Sequence, residues 1–239
     1  MQVLQRRAQI EQAREEMRAR GISAMTPATP SLLRRAMGRV TGRRHVPLGD
    51  QIKSWDVLAT VRFCEETLAK NDPILDIGAY ASEVLVSLHR AGFTDLTGVD
   101  LNPRLRDMPH RDRIRYVTAD FMNTPFPDAS FAAVTSISVI EHGYDPQRLF
   151  QEMARILRPG GHFIASTDYW PEKIDTGDTR FFDMSWLIFS REDVAELIEE
   201  AARHGLEPAG ELRFDGGDKA VEHGGYEYTF AWLALRKKA

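Results

Sequence analysis

The apolar positions of this chain change period along its length. From Gln2 to Arg20, good helix formers run without Gly or Pro and Gly21 supplies a stop, which predicts a helix over Gln2–Arg20. Its apolar content is thin: Val3, Leu4, Ile10 and Met17. Thr26-Pro27-Ala28-Thr29-Pro30 reads as a linker. Ser31 can then cap a short helix with Leu32, Leu33, Ala36, Met37 and Val40 on one face and Arg34, Arg35 and Arg39 flanking it. A loop over Gly42–Gly49 precedes a helix over Gln51–Leu68. Short apolar runs then alternate with helical segments. Strand Ile74–Ile77 leads to helix Ala81–Ala91, strand Leu96–Val99 to a short segment near Pro103–Met108, and strand Ile114–Thr118 to Ala119-Asp120-Phe121. Strand Ala132–Ile137 leads to helix Gln147–Leu157, which Arg158-Pro159-Gly160-Gly161 stops before strand His162–Ser166. Helix Ser190–His204 opens on Ser190 and Asp193, a capping-box-like pair. Strands near Glu207–Leu212 and over Tyr226–Leu235 have no helix between them, so they are expected to pair antiparallel. Such alternation implies an α/β fold with a doubly wound, mostly parallel sheet covered on both faces.

Composition narrows the class. The 239 residues suit one α/β domain with an extension, and 43% hydrophobic with 28% charged residues fit a globular chain. No apolar run is long enough to span a bilayer, and Met1–Arg20 is too charged for a secretory signal, so cytoplasm is the expected compartment. Cys64, the sole cysteine, excludes an intramolecular disulfide. The net charge of −4 is uneven: residues 1–50 carry ten Arg against four acids, a net +6, which leaves −10 on the rest. A division into a basic helical extension, 1–50, and a domain, 51–239, follows. The arm could serve as a lid, a homodimer arm or, through residues 31–44, a peripheral membrane contact. The acidic body argues against a nucleic-acid groove.

Candidate chemistry lies at the strand ends, where a doubly wound sheet binds its ligands. Asp76-Ile77-Gly78 puts an acid and a glycine turn after one strand, and Asp100 closes the next apolar run 22 residues beyond Gly78. That spacing is how such a sheet holds a nucleoside: the turn lets backbone approach, and the acid accepts from ribose hydroxyls. Asp120 and Phe121 follow a third strand, suited to an adenine amino group and ring, and Ser136–His142 a fourth. One strand-end acid would mean little; three in succession, with a glycine turn after the first, carry the reading.

From about Leu75 to Trp170 the chain resembles the class I S-adenosylmethionine-dependent methyltransferases. The matching pieces are Leu75-Asp76-Ile77-Gly78, Gly98-Val99-Asp100-Leu101, Thr118-Ala119-Asp120-Phe121, Pro125 to Phe131, Val139-Ile140-Glu141-His142 and Glu152 to Gly161. The resemblance implies a seven-stranded Rossmann-like sheet with its last strand antiparallel, and S-adenosylmethionine as cofactor with S-adenosylhomocysteine as product. It assigns Asp76, Gly78, Ala79, Tyr80, Asp100, Leu101, Asp120, Phe121 and Ser138 to cofactor binding. Two departures stand out. The turn reads Gly78-Ala79-Tyr80-Ala81-Ser82, with Tyr80 where the family usually has a second glycine, and Phe131 is followed by Ala132 rather than an acid. Tyr169 and Lys173 match the Tyr-x-x-x-Lys spacing of short-chain dehydrogenases, but Pro171 between them opposes the helix that chemistry needs.

Methyl transfer to a hydroxyl benefits from a base, since a neutral alcohol is a weak nucleophile. His142 is the first candidate, Asp168 the second and His223 a third. The connections Asp168–Phe189 and Asp215–Gly225 mix Tyr169, Trp170, Phe181 and Trp186 with Asp, Lys and His, which suits a hydroxylated ligand such as a sugar. Trp170 and Trp186 could equally pack the loop onto the domain. No His/Asp spacing marks a metal site. The reading at this point is an O-methyltransferase of a small molecule or carbohydrate, against a noncatalytic binding protein on the same fold or an N-methyltransferase.

Overall fold

The computed structural model describes residues 1–25, 46–181 and 183–239. The linker Thr26–Pro30, the helix expected from Ser31, most of the loop from Gly42 and the proposed membrane contact over 31–44 lie outside the described residues. No helix among those described is long and apolar enough to cross a membrane.

Four parallel pairings build the sheet. Strand β2 (Ile74–Ile77) lies between β3 (Leu96–Asp100) and β5 (Phe131–Ile137); β3 also pairs with β4 (Ile114–Thr118), and β5 with β6 (Leu157–Tyr169). The last strand, β11 (Tyr226–Lys237), runs antiparallel to β6, with Trp232 opposite Ser166 and Phe230 opposite Asp168. The far edge of β11 carries three short strands: β10 (Val221–His223), β1 (Gln2–Val3) and β9 (Leu206–Pro208). The main path is therefore β1-β11-β6-β5-β2-β3-β4, and the whole sheet has nine strands rather than seven. The reason is the length of β11, whose 12 residues leave an edge that one short strand cannot cover. A separate hairpin joins β7 (Arg180–Phe181) to β8 (Met184–Ser185) inside the long connection after β6.

The helices lie on both faces. Helix α1 (Ala8–Ala19), α2 (Ser54–Thr67) and α3 (Val84–Arg90) cover one face, packed with Ile74, Ala133, Ile164 and Trp232; α4 (Pro146–Ile156) and α5 (Arg191–Arg203) cover the other, over Leu75, Val134 and Phe163. Neighbouring residues such as Ile74 and Leu75 thus enter opposite cores, as the two-residue period of a strand requires, and both are fully buried. Helix α5 begins with the expected box: Ser190 Oγ accepts from the Asp193 amide and Asp193 accepts from the Ser190 amide. Helix α4 starts with Pro146 after Asp145, whose carboxylate accepts from the Arg148 amide at 3.1 Å.

The helix expected over Gln2–Arg20 begins only at Ala8. Gln2 and Val3 pair instead with Trp232 and Ala231, and Leu4 is fully buried beside Trp186, Ile188 and Phe230. Tertiary burial of two neighbouring apolar residues outweighs helix propensity there. The strand expected over Glu207–Leu212 is reduced to Leu206–Pro208, and it does pair antiparallel with β11. A turn of 3-10 helix, Gln51–Lys53, precedes α2, with Asp50 accepting from the Ile52 amide.

Candidate active site

The ends of β2 and β5 meet where the strand order reverses, the crevice in which such sheets bind ligands. Gly78, just past β2, has φ +72°, and a Cβ there would stand 2.4 Å from Val139 Cγ2, so the crevice admits only glycine at this point. Asp76 is buried. Its Oδ1 accepts from Thr135 Oγ1 at 2.7 Å, while Oδ2 has no hydrogen-bond partner; burial pushes the carboxyl up to about 7. Ala79 is buried, and its amide donates to the Val99 carbonyl.

The Tyr80 amide donates to Asp100 Oδ2 at 2.9 Å, and the Arg104 guanidinium lies over the Tyr80 ring, 5.5 Å from its centroid. Asp100 Oδ1 accepts from the Asn102 amide at 2.8 Å. Each carboxylate oxygen keeps a second lone pair, so a ribose diol can still be accepted. Leu101 beside it is 58% exposed, the one large apolar side chain so open among the described residues. Asp120 is more committed: Oδ1 takes the Met122 amide at 2.9 Å and Oδ2 pairs with Arg148 at 3.1 Å, while Phe121 is half-buried against the core. An orphaned buried carboxylate oxygen, a cradle that a Cβ would fill, an acid with spare acceptor capacity and an open apolar side chain fit a nucleoside cofactor bearing an aminoacyl arm.

A second group of polar side chains lies past β5 and β6. Asp168, 4% exposed, accepts from Trp186 Nε1 at 2.8 Å, and its other oxygen stands 3.6 Å from Lys53 Nζ. Trp186, left open by the sequence between packing and function, does both: it is buried and it orients Asp168. Lys53 also donates to Ser138 Oγ and lies 3.8 Å over the Phe230 ring. Ser138 has φ +51°, with its amide on the Ser166 carbonyl, so the chain leaves β5 sharply here. Glu141 is buried with Oε2 lacking a hydrogen-bond partner, and burial followed by repulsion from Asp168 raises its carboxyl well above the ordinary value. Asp56, fully buried and bonded to Ser166 Oγ at 2.8 Å, is pushed up to about 6 by burial against the opposing pull of Lys53.

His142 is half-buried and lies beside Phe181, ring centroids 6.1 Å apart; His223 lies on the same ring at 4.8 Å. Burial lowers the His142 pKa; Asp168 opposes this, and Lys53 and His223 reinforce it. The three expected base candidates, His142, Asp168 and His223, are therefore brought into one neighbourhood. Lys53 and Asp56 went unread in the sequence. Asp56, a charge inside the apolar run Trp55 to Leu58, is a signal that could have been followed; Lys53, at the surface end of a helix, carries none. Among the described residues, no group of three or more His, Cys, Asp or Glu is arranged to hold a metal ion.

Comparisons with known proteins agree with this geometry. Residues 75–165 match the family described as a methyltransferase domain. The chain is 32% identical over 102 residues to 27-O-demethylrifamycin SV methyltransferase of Amycolatopsis mediterranei (strain S699), covering 39% of this chain and 38% of that protein. It is 33% identical over 93 residues to cycloartenol-C-24-methyltransferase of Arabidopsis thaliana, covering 39% and 27%. It spans less than half the length of the curated relatives it matches. Among solved structures, geranyl diphosphate C-methyltransferase from Streptomyces coelicolor A3(2), in complex with Mg2+, geranyl-S-thiolodiphosphate and S-adenosyl-L-homocysteine, superposes with TM-score 0.57 at 19% identity over 94% of this chain and 98% of that one. The [4+2]-cyclase SpnF does so with TM-score 0.58 at 17% identity over 91% and 100%. Domain match, sheet order and crevice agree: residues 75–165 match a methyltransferase domain, and the chain has the fold of the class I S-adenosylmethionine-dependent methyltransferases.

Proposed function

We propose that the chain is an S-adenosylmethionine-dependent methyltransferase that methylates a hydroxyl oxygen of a small molecule or carbohydrate. The observation that carries the choice of oxygen is Lys53. Its ammonium occupies the space over Phe230 and beside Asp168, which an amine substrate or a cationic intermediate of C-methylation would otherwise use. A second cation there would meet like charge in a partly desolvated site, whereas a neutral hydroxyl would not.

In this reading Asp100 accepts the ribose hydroxyls, the Gly78–Tyr80 backbone and Asp76 face the aminoacyl arm, and Leu101 and Phe121 flank the adenine, with Asp120 beside it. Ser138 closes the crevice from the β5 side. When bound, S-adenosylmethionine supplies a methyl group on an already activated leaving group, so the chain's work is placement. His142, kept largely neutral at pH 7 by its lowered pKa, takes the acceptor's hydroxyl proton. Asp168, oriented by Trp186 and balanced by Lys53, holds a second hydroxyl or steadies the imidazolium that forms. Glu141, buried beside Asp168, has its carboxyl held well above the ordinary value by burial and then by repulsion from Asp168.

The relative named as a 27-O-demethylrifamycin methyltransferase supports an oxygen acceptor and the cycloartenol enzyme supports carbon, so the acceptor atom needs its own test. Incubation with methyl-13C cofactor and a panel of sugars, polyhydroxylated small molecules, amines and sterols answers it by NMR. The expected product has a 13C methyl at an O-methyl chemical shift. An N-methyl or C-methyl product would overturn the oxygen assignment. A fold neighbour named as a cyclase is the reason to measure cofactor binding separately from turnover.

A further inference from the structure

The far half of the glycine loop is held by residues from much earlier in the chain. Glu83, directly after Ser82, is buried, and Arg14 of α1 grips it with both terminal nitrogens: Nη1 reaches Oε2 at 2.9 Å and Nη2 reaches Oε1. Both side chains are 1% exposed. Every N–H of this guanidinium is used, since Nε donates to Ser54 Oγ at 2.9 Å, Nη1 to Ser23 Oγ at 3.0 Å and Nη2 to the Asp50 carbonyl at 3.3 Å. The Ala24 amide donates to Glu83 Oε2 at 3.1 Å. Two residues before Glu83, Ala81 sits at φ +62°, unusual for a residue with a Cβ, and its carbonyl takes the Gly49 amide at 2.8 Å. Gly49 is itself at φ +70°, and a Cβ there would lie 2.8 Å from Glu83 Cδ.

We propose that Arg14 and Glu83 are a positioning pair that sets the variant glycine loop and Lys53 together, coupling the cofactor side of the crevice to the acceptor side. The chain of contacts is continuous. Glu83 fixes the loop that ends at Ser82; Arg14 binds Glu83; Arg14 also binds Ser54 and the Asp50 carbonyl, which bracket the 3-10 turn ending in Lys53; and Lys53 reaches Ser138 and Asp168. A buried ion pair is weak grounds for net stability, because an apolar pair of similar volume often does as well. Its forked geometry instead fixes two segments in register. The loop has Tyr80 where the resembled family usually has a glycine, so its path is set by outside contacts rather than by freedom of its own backbone. The cofactor half of this inference rests on the function proposed above.

The test compares wild type with the double variant Arg14→Met, Glu83→Leu, which replaces the pair by apolar side chains. Amide hydrogen exchange without ligand is the first readout. The segments 78–84 and 50–54 are expected to exchange faster together, by about tenfold or more, with the β5 and β6 core unchanged. S-adenosylhomocysteine titration is the second, with affinity expected to fall about tenfold or more. Arg14→Lys, which keeps the charge and loses the fork, should fall between. A folded double variant in which both segments keep their protection, or only one loosens, overturns the coupling. Should the double variant not fold, Glu83→Gln is read by the same criterion. If wild type itself does not bind S-adenosylhomocysteine, the cofactor reading fails, while hydrogen exchange still decides the coupling.

Discussion

At Asp100 two backbone amides, from Tyr80 and Asn102, arrive on separate carboxylate oxygens and leave one lone pair of each for a diol. Asp100→Ala therefore removes the loop's anchor together with the proposed ribose acceptor. S-adenosylhomocysteine affinity should fall by about 2–3 kcal/mol, measured by calorimetry; unchanged affinity would show that ribose is held elsewhere. Lys53 makes a sharper distinction. Burial first, then Lys53 and His223, hold His142 below its usual value against the pull of Asp168. With His142 as base, the rate rises with pH through that lowered pKa and is level above it. Lys53→Met should lower kcat by about tenfold or more and move the acid limb of the pH–rate profile upward. A limb that stays in place would remove His142 or Lys53 from the mechanism. Asp76 gives a stability prediction with a definite sign. Its folded pKa of about 7 lies above the ordinary 3.8, so the unfolded chain releases the proton first, and stability falls as pH rises through that interval. Asp76→Asn should flatten this dependence: melts of the ligand-free protein near pH 5 and near pH 8 should differ less than for wild type.

Among the elements, those carried by a clean local signal were legible. Strands β2 to β5, α4 with its Asp145–Pro146 start and α5 with its Ser190/Asp193 box follow from apolar runs and caps that act within a few residues. The strand-end positions Asp76, Gly78 and Asp100 were legible for the same reason: a spacing along the chain becomes a place at the carboxyl ends of neighbouring strands. What could not be read depended on distant partners. Gln2 and Val3 are a strand only because β11 offers them an edge, and Lys53 comes beside Asp168 only because its turn is anchored there. Gly49 shows the same dependence, through its packing on Glu83, and can be tested by substitution. Gly49→Ala meets both an unfavourable φ and the Glu83 carboxylate, while Gly177→Ala, at φ +53° with open space around it, meets only the first. The backbone alone costs about 1–2 kcal/mol. Gly49→Ala should cost more than Gly177→Ala in thermal or denaturant unfolding, and equal losses would deny the close packing on Glu83.

For the whole molecule, charge and burial tell different stories about the first residues. The net +6 of residues 1–50 suggested an arm, yet Leu4 and Met17 are fully buried, Val3 pairs with β11 and Arg14 reaches the glycine loop. Deleting residues 1–25 should thus lower the melting temperature and weaken S-adenosylhomocysteine binding, where removal of an independent arm would leave both unchanged. The comparisons agree with the central region and cover less than half of each curated relative, so the acceptor rests on this chain's own crevice. The proposal rests in turn on one claim: a loop with Tyr80 in place of a glycine still receives the cofactor, with the Tyr80 amide on Asp100 and its ring against Arg104. Calorimetric titration of the folded protein with S-adenosylmethionine and S-adenosylhomocysteine tests it most directly. Saturable binding of each at one site per chain is the predicted result; no heat of binding from either, in protein shown to be folded, would contradict it.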